Sequence, residues 1–442
     1  MPEWLKGAVL KTVMPERASR VRISPPPPIF TFSEIERGCL PPPFVKGGVD
    51  NEIKTIMKIA FIHSDKKIGT GAHFINDLIA CKLREREVEV NNFYPQFLLT
   101  DTPIHFKGIN NILFFYSLLE KREEILRHDI IQGTTYTPLA FLRFSKPVVS
   151  HFGSTTIGFL KSVPKTNHLE NECSDVFIRL KQSGAIRELN IKTRRPLNDI
   201  ASIEQYAAER ADYIIATSDI VKKDLMSIGI AAEKIEVIYN AIEDYWFETP
   251  NNNPEGEPTI VFLGRIGEDP FTLKLKGVDR LIWLFEQFPE VKKFSVVMSR
   301  NKKLTQWMKN NIPNHSIIAN VIKDTIPSLL NQHTGGIALL TSRYEGFSLS
   351  LIEVMSQGLV PISFSVGVAP EIIRNGENGF IVNTIKETEE KIKLLLSNTA
   401  LRHRLALAAR ETAKQFRSDT MIEKTLALYG KILRESLQKS IP

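Results

Sequence analysis

Residues 335–365 read GGIALLTSRYEGFSLSLIEVMSQGLVPISFS. IALLTS, 337–342, is a short apolar run of the kind that forms a fully buried strand. LVPISFS, 359–365, is a second such run. Between them lie a loop, 343–348, and a helical stretch around 349–357 that Gly358 is suited to end. Strands apolar along their whole length, separated by a helix, belong to a parallel sheet covered on both faces. The loop then sits at the carboxyl end of its strand, where open α/β sheets bind ligands.

The same alternation runs outward in both directions. KIAFI, 58–62, is a short apolar strand. The Gly69-Thr70-Gly71 loop follows it, and then a helical pattern at Phe74, Leu78, Ile79 and Leu83. VEVNNFYP, HDIIQG, PVVSHFG, ADYIIATS and KIEVIYNAI continue the strand set with helical stretches between them. Residues 244–258, DYWFETPNNNPEGEP, are polar and rich in Asn and Pro, and read as a linker. Alternation restarts at TIVFLGRIG and runs to GFIV. SDTMIEKTLALYGKILRES is an amphipathic helix with Ser418 as its N-cap. The pattern predicts doubly wound α/β domains over 57–247 and 259–417, a linker over 248–258 and a terminal helix within 418–442. Two such halves enclose a cleft, the usual place for a ligand.

At 442 residues the chain has room for two or three domains, and 43% apolar residues is ordinary for globular cores. A net charge of +7 favours acidic partners: phosphorylated ligands, nucleic acid or an anionic membrane surface. Cys39, Cys81 and Cys173 follow no zinc or disulfide spacing, which suits a reducing cytoplasm. No apolar run approaches the ~20 residues that span a bilayer. Basic residues cluster at Lys161 and Lys165 and at Lys192, Arg194 and Arg195. Solvated surface is their default reading, and peripheral contact with an anionic membrane is the alternative.

Residues 1–56 fit neither a signal peptide nor a core. They resemble the accidental translation of a bacterial serine transfer-RNA gene. Val21-Arg22-Ile23 back-translates to GTT CGA ATC, the T-loop sequence, and Ala8 to Val13 can encode a stem with a TGA anticodon. Pro42 to Gly48 fits an intergenic inverted repeat. Met57 then reads as a natural start. The alternative is a disordered, Pro-rich basic arm.

The chemistry of the second half can be read physically. The free N–H groups and positive dipole end of the helix near Leu349 favour an anion such as phosphate. Gly346 permits close backbone approach. Glu353 lies among Leu351, Ile352, Val354 and Met355, where a carboxylate is costly unless hydrogen-bonded. A sugar diol would supply two donors. A nearby lysine or backbone group would satisfy it equally.

EGFSLSLIEVMSQGLVPISFSVGVAPEIIRNGENGFIV, 345–382, resembles the donor-site region of retaining glycosyltransferase family 4. The resemblance rests on the Glu-x7-Glu pair, Gly-Phe after the first Glu, Gly358, Pro361, Pro370-Glu371 and Asn378-Gly379. GRIGEDPFTLKLKGVD resembles the family's Gly-Arg … Lys-Gly element, and ATSDIVKKDLMSIGIAAEKIEVIYNAIE its Ser … Asn-Gly-Ile-Asp segment. The resemblance implies a GT-B fold, two Rossmann-like domains facing across a cleft, with the last helix crossing back onto the first. It implies that Glu345 contacts hydroxyls of a donor sugar. The backbone of Gly346, Phe347, Ser348 and Leu349 would meet sugar and phosphate oxygens, and Glu353 would hold a ribose diol. Arg265 and Lys276 would neutralise a diphosphate. Negative charge grows on the leaving group as the glycosidic bond breaks, and fixed cations stabilise it. Lys274 competes with Lys276 for this role. There is no Asp-x-Asp pair to hold a divalent ion on the diphosphate, so no metal is expected. Val368, Ala241, Glu243 and Val354 depart from the family's usual residues.

The first half is less legible. Gly69-Thr70-Gly71 is not completed to a dinucleotide fingerprint, since position 74 is Phe. The resemblance makes Gly69 and Gly71 part of a loop over the donor phosphates. His151 ends the strand PVVS, and the resemblance lets it hydrogen-bond the donor sugar; a locally satisfied strand-end His is the alternative. His63 reads as structural.

The expected activity is transfer of a sugar from a nucleoside diphosphate sugar to a saccharide or lipid-linked acceptor, with retention. Cell-surface polysaccharide or lipopolysaccharide synthesis on the cytoplasmic side, without nucleic acid as partner, is the expected setting. Two other classes remain: a sugar-nucleotide epimerase on the same fold, and a non-catalytic sugar-nucleotide-binding subunit.

Overall fold

The computed structural model describes residues 57–64, 71–97, 107–250 and 257–439. The reading of residues 1–56 and of Gly69 lies outside these residues. Twelve strands form two six-stranded, wholly parallel sheets. The first holds β1 (Lys58–Ile62), β2 (Glu89–Phe93), β3 (Ile130–Thr134), β4 (Val148–Phe152), β5 (Tyr213–Ala216) and β6 (Ile235–Val237), in the order β2-β1-β3-β4-β5-β6. The second holds β7 (Ile260–Ile266), β8 (Lys293–Ser299), β9 (His315–Ala319), β10 (Ile337–Leu340), β11 (Val360–Phe364) and β12 (Phe380–Val382), in the order β12-β11-β10-β7-β8-β9.

Both sheets are doubly wound, and the apolar runs explain why. Along β1, Ile59 and Phe61 enter one core while Ala60 and Ile62 enter another on the opposite face. Along β10, Ile337 and Leu339 face one core and Ala338 and Leu340 the other. A strand with no polar face must be covered on both sides. The order in which successive strands are added reverses once in each sheet, between β1 and β3 and between β7 and β10. Ligand clefts of open α/β sheets form outside the carboxyl ends of strands at such points.

The two sheets exchange elements. Leu169, Cys173, Val176, Phe177, Leu180, Ala185 and Ile186 lie within the first stretch by sequence, yet they join the core of the second sheet. Helix Ser418–Lys439 does the converse. Its Met421, Ile422, Leu428, Tyr429 and Ile432 pack with Ile59, Phe61, Ile79 and Val149 of the first sheet. Inside that core the Tyr429 hydroxyl donates to Gln132 Oε1 at 2.6 Å. The start of the Asn- and Pro-rich stretch is less exposed than its composition suggests: Trp246 is fully buried in the second domain's core.

Candidate active site

The cleft between the sheets encloses about 450 Å³. On the second-domain side it is lined by Gly264 and Arg265 of β7 and by Lys276, Glu345, Gly346, Phe347, Ser348 and Leu349. β7 and β10 flank the reversal point, so Arg265 and the loop after β10 meet there because of the topology.

Lys276 reaches the cleft through a tightly built corner. Asp269 caps helix Pro270–Leu275, its Oδ1 accepting from the Thr272 N–H at 2.9 Å. Lys276 follows, and Gly277 turns the chain with φ +61°. A Cβ at Gly277 would lie 1.9 Å from the Thr341 carbonyl oxygen, so only glycine lets this corner press against the end of β10. The Thr341 hydroxyl then donates to the Lys276 carbonyl at 3.0 Å. The corner delivers the Lys276 ammonium to Glu345 Oε1 at 2.5 Å, where the Ser342 hydroxyl also donates, at 2.7 Å. Lys274, the competitor, points elsewhere. It is 2% exposed and its ammonium donates to Asn190 Oδ1 at 2.7 Å. Burial pushes its pKa down to about 8, with Asp279 opposing.

Helix Leu349–Ser356 starts at the cleft. Ser348, before it, has φ +83° and ψ 73° and makes no side-chain cap, although its carbonyl accepts from the Leu351 N–H at 3.1 Å. A non-glycine residue in the left-handed region is strained, and such strain gathers at ligand-binding loops. Gly358, with φ +67°, ends the helix, its N–H bonded to the Met355 carbonyl at 2.9 Å. Phe347 has a split role. Its ring is buried in the second domain's core while its carbonyl accepts from the Val368 N–H at 2.9 Å. Gly346 makes its close approach to protein: a Cβ there would lie 1.9 Å from the Gly153 carbonyl oxygen of the first domain.

That contact is one of several along a seam. The Ser218 hydroxyl donates to the Gly346 carbonyl at 2.5 Å. The Tyr344 hydroxyl donates to Asp224 Oδ2 at 2.7 Å and lies 3.0 Å from the Thr155 hydroxyl. Glu371 of the Pro-Glu pair accepts from the Asp219 N–H at 3.0 Å and from the Tyr239 hydroxyl at 2.7 Å. Much of the motif stretch therefore joins the domains.

Glu353 does not line the cavity. It is 8% exposed and lies 3.9 Å from the Lys323 ammonium, which also contacts Glu243 at 2.5 Å and sits over the Phe74 ring. Burial raises its pKa to about 7, against Lys323 and together with Glu243. His151 does line the cleft, from the end of β4, with Nδ1 buried and unpartnered. Burial lowers its pKa to about 4, with Asn240 pulling the other way, so the ring is neutral at pH 7. Gly71 opens helix Gly71–Glu85.

Two features had no signal in the sequence. Glu204, from helix Arg195–Arg210, lines the first-domain wall. Arg343 forms a two-pronged pair with Asp279 at 2.8 and 2.6 Å and a further pair with Glu170. Arg280 joins Glu170 from the other side. Glu170, Cys173 and Asp279 are grouped closely enough to hold a metal ion. Arg343 and Arg280 already pair with these carboxylates, which suits a buried ion network better than a cation site. Among the described residues no helix is long and apolar enough to cross a membrane.

Sequence models of two families match: Glycosyltransferase Family 4 over residues 80–244 and Glycosyl transferases group 1 over residues 247–412. Curated relatives are distant. An uncharacterised 41.2 kDa protein in the cps region of Klebsiella pneumoniae is 26% identical over 240 residues, 51% of this chain and 63% of that protein. The capsular polysaccharide biosynthesis glycosyltransferase CapM of Staphylococcus aureus is 26% identical over 256 residues, 52% of this chain and 61% of CapM. The lipopolysaccharide 1,6-galactosyltransferase of Salmonella typhimurium is 25% identical over 188 residues, 38% and 47% of the two chains. The chain thus spans between about half and two-thirds of the length of these relatives. Among solved structures, sucrose-phosphate synthase from Thermosynechococcus elongatus superposes with a TM-score of 0.65 at 15% identity, over 86% of this chain and all of that one. Anabaena HepE in complex with UDP and glucose gives 0.59 at 19%, over 85% and 100%. At such identities the superpositions speak for the fold. One family model is thus matched on each side of the cleft, and the fold is GT-B: two Rossmann-like domains facing one another.

Proposed function

We propose that this chain transfers a sugar from a nucleoside diphosphate sugar to an acceptor hydroxyl with retention, in the cleft between its sheets. The observation that carries the reading is the convergence of Arg265, Lys276, Glu345 and the strained start of helix Leu349–Ser356 in one cavity. Two cations and a row of helix amides suit a diphosphate. Both contacts to Glu345 fall on Oε1, so Oε2 is the oxygen offered to a donor-sugar hydroxyl. Neutral His151 supplies a second polar contact to that sugar.

In the proposed step the bond from the anomeric carbon to the diphosphate oxygen breaks, and a bond from that carbon to the acceptor oxygen forms on the same face. The acceptor proton passes to the departing phosphate. Arg265 and Lys276 stabilise the charge that grows there, in the role a divalent ion plays in other transferases. Closure of the cleft keeps water from the donor. Glu353 would bind a ribose diol after exchanging its Lys323 contact, and Gly71 would help close the loop over the phosphates. A uracil nucleotide is the first donor to try, because the HepE structures hold UDP and UDP-glucose. The names of the relatives support cell-surface polysaccharide or lipopolysaccharide assembly; a cytoplasmic setting with peripheral membrane contact is part of the same proposal.

A donor-hydrolysis assay over a panel of nucleotide sugars tests the reading. A transferase releases free sugar slowly, an epimerase converts the donor, and a binding subunit does neither. Glu345→Ala and Arg265→Ala should each lower turnover by about 10²-fold or more. Turnover like the parent's in both variants would sink the site assignment. The anomeric configuration of the product, read by NMR, tests retention.

A further inference from the structure

The two walls of the cleft differ in charge. Arg265 and Lys276 lie on the second-domain wall; among the described residues lining the cavity, the first-domain wall has no lysine or arginine. Its ionisable groups are His151, which burial keeps neutral, Tyr136, whose phenol burial pushes up, and Glu204. This is the reverse of what a net charge of +7 suggests for the chain as a whole.

Glu204 is 8% exposed and firmly held. Oε2 accepts from the Thr156 N–H at 2.7 Å and Oε1 from the Thr156 hydroxyl at 2.7 Å. A carboxylate accepts about four hydrogen bonds, so two lone pairs remain. Aromatic rings stand on the same wall. Tyr136 is fixed edge-on to Phe115, with ring planes at 90°. Phe159 is fixed edge-on to Tyr344, at 81°. Thr135, beside Tyr136, has φ +48°, an outlier for a β-branched residue. It is clamped by its N–H to the His151 carbonyl at 3.0 Å and by the Ser150 hydroxyl at its own carbonyl, 2.5 Å. The wall thus offers rigid aromatic surface for C–H faces and one oriented carboxylate for hydroxyls. Burial raises the Glu204 carboxyl to about 7, so above that pH a phosphate or carboxylate placed there meets a like charge with no cation on that wall, and acceptor selectivity is compared at pH 8.

We propose that the acceptor unit docking on this wall is an uncharged saccharide, and that Glu204 is a specificity-determining residue that binds its hydroxyls and rejects anionic acceptors. The proposal rests on the transferase reading above and names the acceptor class for it.

The test uses the full chain with the nucleotide sugar that it hydrolyses. Acceptors are octyl hexopyranosides, each paired with the octyl uronide that differs only by a carboxylate at C6. Wild type should favour the neutral member by at least about tenfold in kcat/KM. Glu204→Gln keeps both contacts to Thr156 within reach, since an amide can accept from the N–H and donate to the hydroxyl. It should raise KM for the neutral acceptor several-fold. It should also bring the neutral-to-uronide ratio within about threefold, which a purely structural role would not move. The proposal is overturned if wild type uses uronides as well as their neutral partners, if no neutral glycoside is used, or if Glu204→Gln leaves the ratio intact. The wild-type comparison decides the matter even where the variant does not fold. Failure of wild type to hydrolyse any donor is read before an acceptor is added; it overturns the transferase reading, and this inference with it.

Discussion

Gly346 and Gly153 offer a matched pair of substitutions at one contact. A Cβ at Gly346 would lie 1.9 Å from the Gly153 carbonyl oxygen and 2.7 Å from the Ser154 Cα. An ordinary carbon–oxygen contact is about 3.3 Å, so Gly346→Ala must open the seam by roughly 1.4 Å. Both neighbours are backbone and cannot swing aside. The displacement falls on the loop that carries Glu345 and Ser348, and misplacing reacting groups by about 1 Å can lower rates by about 10²-fold. Overpacking should also destabilise the fold by about 1–3 kcal/mol. At Gly153 an added Cβ meets nothing within 4 Å. Gly153→Ala should therefore leave stability within about 0.5 kcal/mol of the parent. Urea unfolding of both variants, with donor turnover measured in parallel, is the assay. Equal stability of the two variants, or full turnover in Gly346→Ala, would refute the claim that this glycine sets the spacing of the domains.

Three further outcomes follow from the same geometry. Lys276→Met should lower turnover by about 10²–10³-fold, whereas Lys274→Met, whose ammonium is turned to Asn190 and not into the cleft, should change it less than threefold; steady-state kinetics on both variants decides between the two lysines. Glu353 has a folded pKa of about 7 against an ordinary 4.5, so its contribution to stability is fully present below pH 4.5 and lost as pH rises through about 7. Glu353→Gln should flatten that loss by about 1–3 kcal/mol between pH 5 and 8, read as the difference from the parent in urea midpoints, since Glu204 adds a slope of the same sign. Arg343→Met leaves Asp279, 0% exposed, without its two-pronged partner and should destabilise by about 3–5 kcal/mol, checked by chemical denaturation.

The architecture was legible because it is written locally. Runs such as IALL, 337–340, and IAFI, 59–62, are apolar at every position, and only strands covered on both faces need that. The loop after β10 was legible for a related reason: strand, loop, glycine and helix are consecutive, and topology alone brings Arg265 to them. What stayed hidden depends on partners far apart in the chain. Arg343 finds Glu170 and Glu204 finds Thr156, and no spacing announces either pair. Gly346 was read as a point of approach for a ligand, and the structure fills that space with the Gly153 backbone. Glu353 pairs at 3.9 Å with Lys323, which follows β9, a partner that no spacing in the sequence points to.

The exchanged elements bear on how chains of this fold can be recombined. A chimera cut at residue 247 would bring along Leu169, Cys173, Val176, Phe177 and Leu180, side chains that complete the core of the domain being left behind. It would also leave the helix carrying Tyr429 to dock on a foreign sheet. Swapping acceptor specificity between relatives therefore requires grafting within the first sheet's loops. Neither half expressed alone has its interior closed, so each should bind hydrophobic dyes and resist crystallisation until it is given its counterpart.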